Sequence, residues 1–186
     1  MTRFVFDTAT TINGWIADRQ KSLGWLFAVP GGEQPDPALL PQAATVLVEG
    51  STTYEWMLAE TELLAHPERW REFHRDRPLF VFTTRELPVP DGADVRFLRG
   101  SVADALPAIR AAAGDGDVWL LGGGELIGQF FDAGALDEVA LSIAPVALDG
   151  GAPLLPRRIE SDRMRLVSAT ASGQFARLIY AISPAH

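Results

Sequence analysis

The chain has 186 residues, 47% hydrophobic and 22% charged, which are the proportions of one folded domain large enough to bury a real core. A net charge of −8 argues against general affinity for nucleic acid or an anionic membrane surface, and the absence of cysteine excludes disulfides, thiolate catalysis and thiolate metal sites. No apolar signal core follows Met1 and no run reaches the roughly 18 apolar residues of a membrane span, so a single cytoplasmic domain over residues 1–186 is expected.

Residues 3–9, with Phe4, Val5 and Phe6, read as a strand. Asn13-Gly14 is a tight-turn signal before the short run Trp15-Ile16-Ala17. Residues 18–42 carry Pro30, Gly31, Gly32, Pro35, Pro37 and Pro41 and read as an irregular functional flap. Residues 45–48 form a second buried strand that ends at Gly50. A helix follows, with Tyr54, Met57, Leu58 and Thr61 on one side, and then strands over 79–82 and 95–98. Val102, Leu106, Ile109 and Ala113 suit one helix face. A start near Asp104 keeps Pro107 in the first turn, and Gly114 ends the helix. Residues 118–121 are the next strand. They lead into a helix bearing Leu126, Ile127, Phe130 and Phe131, with Gly134 at its C-terminal cap. Strands over 139–146, 164–171 and 175–182 follow with no helix between them. From Thr45 the order is therefore β-α-β-β-α-β-α and then antiparallel β. This is an α/β fold with one mixed, mostly parallel sheet, an antiparallel C-terminal edge and helices on its faces.

Three corners combine a strand's carboxyl end with residues suited to phosphate. Gly122-Gly123-Gly124 lets a ligand approach the backbone just before a helix N-terminus. The spacing Gly122, Gly124, Gly128 is one residue longer than the dinucleotide fingerprint, and close helix–sheet packing is the plainer reading. Gly50-Ser51-Thr52-Thr53-Tyr54-Glu55 crowds three hydroxyls at another helix start, although Thr52 and Glu55 also spell a capping box. Thr83-Thr84-Arg85 offers two hydroxyls and a guanidinium fork, or simply a polar turn. Together the three suit a long ligand with several phosphates lying across the strand ends, the form of a nicotinamide dinucleotide phosphate. His66, His74 and His186 lack metal-ligand spacing, the first two being placed in a surface helix or loop. Asp137-Glu138 caps or solvates the following strand. The five tryptophans are expected mostly in the core, with Trp25 able to close over a planar ligand.

In this order the pieces resemble the dihydrofolate reductase superfamily, and within it the bacterial branch related to the C-terminal reductase domain of the riboflavin-biosynthesis deaminase-reductase. Residues 10–18 are similar to that branch's S-L-D-G-x-I-A-D turn, and 50–55 to its G-R-x-T-Y-E. Residues 121–124 are similar to its glycine turn. Leu136-Asp137-Glu138, Ala144-Pro145-Val146 and 150–154 are similar to its L-D-E…P-V…G-G-x-P-L signature. The resemblance implies a reductase that binds NADPH and a small-molecule substrate, a pterin or a 5-amino-6-(5-phosphoribosylamino)uracil-like compound, in a homodimer. It places Ile16 and Ala17 beside the nicotinamide. Gly50, Ser51, Thr52 and Thr53 hold one side of the pyrophosphate, and Gly123, Gly124, Glu125 and Leu126 the other. Thr83, Thr84 and Arg85 meet the 2′-phosphate. Asn13 and Trp25 are the substrate-side candidates. Two departures stand out: Ser51 replaces an arginine, and Asn13 replaces an aspartate, where an amide cannot deliver a proton. Glu33 and Asp36 lie in a divergent segment and match no catalytic acid.

Overall fold

A computed structural model describes residues 2–32 and 36–183, so Glu33 and His186 lie outside the described residues. In chain order the elements are β1 (Phe4–Thr11), β2 (Trp15–Ala17), α1 (Gly24–Phe27), β3 (Ala44–Gly50), α2 (Ser51–Glu60), α3 (Trp70–His74), β4 (Leu79–Phe82), β5 (Val95–Leu98), α4 (Val102–Ala113), β6 (Asp117–Gly122), α5 (Gly124–Asp132), β7 (Glu138–Ala144), β8 (Ala152–Pro153), β9 (Met164–Ser172) and β10 (Phe175–Ile182). The main sheet has the order β5-β4-β3-β6-β1-β7-β10-β9. Its pairings are parallel from β5 to β7 and antiparallel from β7 through β10 to β9. The mixed sheet with an antiparallel C-terminal edge is the one expected from the order of elements.

The apolar runs of β1, β3 and β6 are continuous because both faces of these central strands are covered. Alternate residues feed two cores. Phe4, Phe6, Val46, Val48, Val118 and Leu120 meet Ile109, Ile127 and Phe130 of α4 and α5. Leu47, Leu79, Val81 and Trp119 meet Tyr54, Met57, Leu58 and Trp70 of α2 and α3. Each such side chain contributes roughly 1.5–3 kcal/mol of burial. Of the five tryptophans only Trp70 and Trp119 are buried; Trp15, Trp25 and Trp56 are half-buried at the rim.

Helix α4 begins at Val102 rather than Asp104. The Ser101 hydroxyl accepts the Asp104 amide at 3.2 Å, and that cap together with burial of Val102 outweighs the cost of Pro107 in the helix interior. Helix α5 closes on Gly134, whose φ of +66° lets Gly134 and Ala135 donate back to Phe131 and Phe130.

The amino ends of the strands are stitched together. Arg3 pairs with Asp117 at 2.7 Å and with Glu138 at 3.3 Å, Asp137 accepts the Phe4 amide at 2.7 Å, and Thr45 donates to the Ala113 carbonyl at 2.8 Å. Asp137-Glu138 thus ties neighbouring strands rather than only solvating one. The carboxyl ends of β3 and β6 open onto the site.

Candidate active site

Strand β3 enters α2 without a loop, through Gly50 as N-cap with no side-chain hydrogen bond. The capping box does not form. Ser51, Thr52 and Thr53 already lie in the helix, and Glu55 turns to Arg85 instead. Strand β6 enters α5 in the same way, with Gly123 as an N-cap that has no side-chain hydrogen bond. Both helix starts leave amide donors and the positive dipole end free for an anion, whereas α4 is closed by Ser101. The glycines here are required. Gly122 has a φ of +133°, and a Cβ on Gly124 would lie 2.1 Å from the Pro153 carbonyl of β8. That close approach brings the small β2–β8 sheet, in which Ala17 pairs with Ala152, over the glycine corner.

The two helix starts converge on one cavity of about 840 Å³. Ile16, Ala17, Gly50, Ser51, Thr52, Thr53, Thr83, Thr84, Gly123, Gly124, Glu125 and Leu126 all line it. Arg85 does not. Its guanidinium is held by Glu55 at 2.8 and 2.6 Å and by the Ser51 hydroxyl at 3.0 Å. Arg99, directly after β5, lines the wall instead, as do Lys21 and Glu49. The signal for Arg99 was the same as for Arg85, an arginine just past a strand's carboxyl end. Glu125 turns its carboxylate to Arg157 at 2.7 and 3.0 Å, and those hydrogen bonds lower its pKa.

Glu49 is fully buried with neither carboxylate oxygen hydrogen-bonded, and desolvation raises its pKa to about 8. It is therefore a neutral acid at pH 7. An ionised group at the same place would repel an anion seated on the start of α2.

A second cavity, of about 900 Å³, shares Thr8, Leu23, Trp56, Met57 and Phe73 with the first. The irregular segment covers it through Leu26, Phe27, Pro30, Gly31, Gly32, Leu39 and Leu40. Asn13 and Trp25 line neither cavity. Asn13 is a latch: its amide donates to the Leu148 carbonyl at 2.7 Å and its oxygen accepts from Thr11 and from the Leu148 amide. Trp25 lies in α1, while its neighbour Phe27 stacks on Trp56 with ring centres 6.4 Å apart.

In the second cavity's wall Arg177 reaches across β7 to Asp7. Both guanidinium ends contact the carboxylate, with further bonds to the Leu39 carbonyl at 2.9 Å and the Ser142 hydroxyl at 3.1 Å. Burial pushes the Asp7 pKa up, against the opposing pull of Arg177. His74 is buried rather than on the surface, stacked on Trp70 at 3.6 Å, and desolvation lowers its pKa to about 4.

Residues 4–176 match the model of the RibD C-terminal domain. The uncharacterized protein YwjB of Bacillus subtilis (strain 168) is 25% identical over 172 residues, 92% of this chain and 93% of that protein. A protein from Shewanella sp. PV-4, described as a candidate riboflavin biosynthesis protein, has a similar structure. Its TM-score is 0.76 at 24% identity, over 98% of this chain and 99% of that one. Dihydrofolate reductase from Enterococcus faecalis, complexed with NADP(H) and RAB-propyl, superposes with a TM-score of 0.62 at 16% identity, over 97% and 96% of the two chains. The chain belongs to the RibD C-terminal domain family and has a dihydrofolate reductase-like fold.

Proposed function

We propose that this member of the RibD C-terminal domain family is an NADPH-dependent reductase of a small heterocyclic substrate. The observation that carries the reading is the convergence of two uncapped helix starts on one cavity that shares a wall with a second. The residues fit the cofactor. Gly50 and Gly123 place no side chain in the way, and a cavity of this size lies within the roughly 300–1,000 Å³ usual for ligand sites.

Ser51, Thr52, Thr53 and the first amides of α2 hold the pyrophosphate from one side, and Gly123, Gly124, Glu125 and Leu126 hold it from the other. Thr83, Thr84 and Arg99 receive the 2′-phosphate, while Arg85 orders Ser51 from outside the wall. Ile16 and Ala17 border the nicotinamide near the shared wall. Bound there, the cofactor supplies a hydride to a C=N or C=O group. The Thr8 hydroxyl, common to both cavities, organises the water that supplies the proton. Trp56, Met57 and Phe73 restrict water at the junction. Titration calorimetry with NADPH tests the seat, and loss of NADPH absorbance with a pterin or ribosylaminopyrimidine tests the reaction. No binding at millimolar NADPH removes the reading.

A catalytically silent NADP(H)-binding protein is the second reading. It is favoured by the two departures from the family pattern, Ser51 in place of an arginine and Asn13 in place of an aspartate, and by the commitment of the Asn13 amide to Leu148. Tight NADPH binding without turnover across a substrate panel would establish it.

We further propose that the chain is one domain working as a cytoplasmic homodimer without nucleic-acid or membrane partners. No helix among the described residues is long and apolar enough to cross a membrane. The edge strand β9 exposes Leu166 and Val167, each 51% accessible, as a candidate contact. Light scattering tests the dimer.

A further inference from the structure

Glu125 sits in the first turn of α5 and lines the first cavity, yet no side chain caps that helix. A carboxylate there is ordinarily drawn to the free amides and the positive dipole end. Arg157 takes it away. Its guanidinium binds both Glu125 oxygens, at 2.7 and 3.0 Å, and reaches the Asp132 carboxylate at the far end of the helix at 2.8 Å. To span the two acids the guanidinium lies against the helix backbone at Gly128, where a Cβ would stand 2.6 Å from its central carbon. That approach accounts for the last glycine of the series Gly122, Gly124, Gly128, which does not line the cavity. Arg157 does not line it either. The segment that carries Arg157 is anchored without it. Ala152 pairs with Ala17, the Leu154 amide donates to the Gly14 carbonyl at 2.9 Å, and Leu154 and Leu155 pack on the core. The start of α2 repeats the pattern one turn further in, where Glu55 is held by Arg85.

We infer that Arg157 is a positioning residue for the anion seat at the start of α5: it holds the Glu125 carboxylate off the first amides of the helix and leaves them to a pyrophosphate. The inference rests on the reductase reading, which puts the cofactor's pyrophosphate at that helix start. With Arg157 in place, Glu125 offers the seat only its backbone amide. Without it, a carboxylate beside the seat competes for the same donors and repels the incoming phosphates. Asp132 has the second claim on the guanidinium and keeps it along the helix rather than turned into the cavity. The adjacent Arg158 is paired with Glu160 and offers no substitute. Arg157 thus acts through Glu125 and not on the phosphate itself.

The test is calorimetry on the full chain with NADPH and, separately, inorganic pyrophosphate. Arg157→Met is expected to weaken both about ten-fold. Gly128→Ala, which pushes the guanidinium aside without removing a charge, should weaken both as well. Adding Glu125→Gln to either variant should bring both probes back to within about three-fold of the parent, because the competing charge is gone. Raising the salt to about 0.5 M should shrink the Arg157→Met deficit to a similar extent, since the Glu125 carboxylate is exposed to solvent. An Arg157 that only braced the fold, or that touched the phosphate directly, would give losses that Glu125→Gln does not repair. That result overturns the inference, as does undiminished binding by Arg157→Met. If pyrophosphate follows the expected order while NADPH binds none of the proteins, the positioning role stands and the reductase reading falls. Binding of neither probe by the parent removes both.

Discussion

Arg85 grips Glu55 with both ends of its guanidinium, at 2.8 and 2.6 Å, and so faces helix α2 rather than the cavity beside it. The pair is half exposed, and its own contribution to stability is about 0–1 kcal/mol. Its effect is to fix the Ser51 hydroxyl at the helix start. In the proposed NADPH seat Arg99, which lines the cavity, is the residue that would tell a 2′-phosphate from a hydroxyl. Arg99→Ala is expected to weaken NADPH about ten-fold or more while leaving NADH nearly unchanged. Arg85→Ala is expected to weaken both alike, by a few-fold. Calorimetric titration of the two cofactors against each variant checks the assignment, and a selective loss with Arg85→Ala would restore that residue to the 2′-phosphate.

Gly50 offers a way to close the anion seat without disturbing the fold. A Cβ there would meet protein atoms only at 3.8 Å or beyond, and its φ of −86° is ordinary for any residue. Gly50→Ala should change stability by no more than about 0.5 kcal/mol. Under the proposed cofactor seat it should still weaken NADPH about ten-fold, because the methyl would stand in the path of a phosphate approaching the helix start. Thermal melting and calorimetry on the same sample separate the two effects.

Glu49 makes stability depend on pH with an unusual sign for a carboxyl. The unfolded chain ionises it above about 4.5, while the folded chain keeps the proton up to about 8. Unfolding therefore releases a proton across that window, and stability falls by about 1.4 kcal/mol per pH unit before levelling off above it. Glu49→Met should remove this slope. The variant should gain roughly 2–4 kcal/mol over the parent at pH 8 and little at pH 5. Urea melts at the two pH values decide the matter, and parallel curves for parent and variant would refute it.

Asp7 and Arg177 form a buried pair, each less than a tenth exposed. Removing one partner strands the other. Arg177→Met or Asp7→Leu alone should cost about 3–5 kcal/mol, while the double variant should recover most of that loss. A urea double-mutant cycle gives the coupling. Purely additive losses would show that the two side chains act independently.

The parts of this fold that could be read from the chain are those with local grammar. Buried central strands announce themselves as apolar runs, as in residues 45–48 and 118–121. The glycine corners announce the strand-to-helix joints. The second cavity has no such grammar, because its lining comes from β1, α2, α3, β7 and β10 as well as the irregular segment. Arg177 finds Asp7 across 170 residues, and nothing near either position hints at the other. The Thr52–Glu55 pattern misled for a physical reason. Glycine at the strand's end lets the helix start two residues earlier than the box requires, and a nearby guanidinium competes for the glutamate. His74 was misplaced because the short α3 turns it inward onto Trp70, a tertiary choice that a lone histidine in a charged stretch does not reveal.

The stitching at the strands' amino ends has an evolutionary consequence. Arg3, Asp117, Asp137 and Glu138 hold the sheet's register from below, so the loops at the opposite rim are free to drift without unravelling the framework. Selection could exchange what the upper pockets accept while the same chassis persists. Libraries aimed at new chemistry would do well to randomise the rim and leave that basal knot alone.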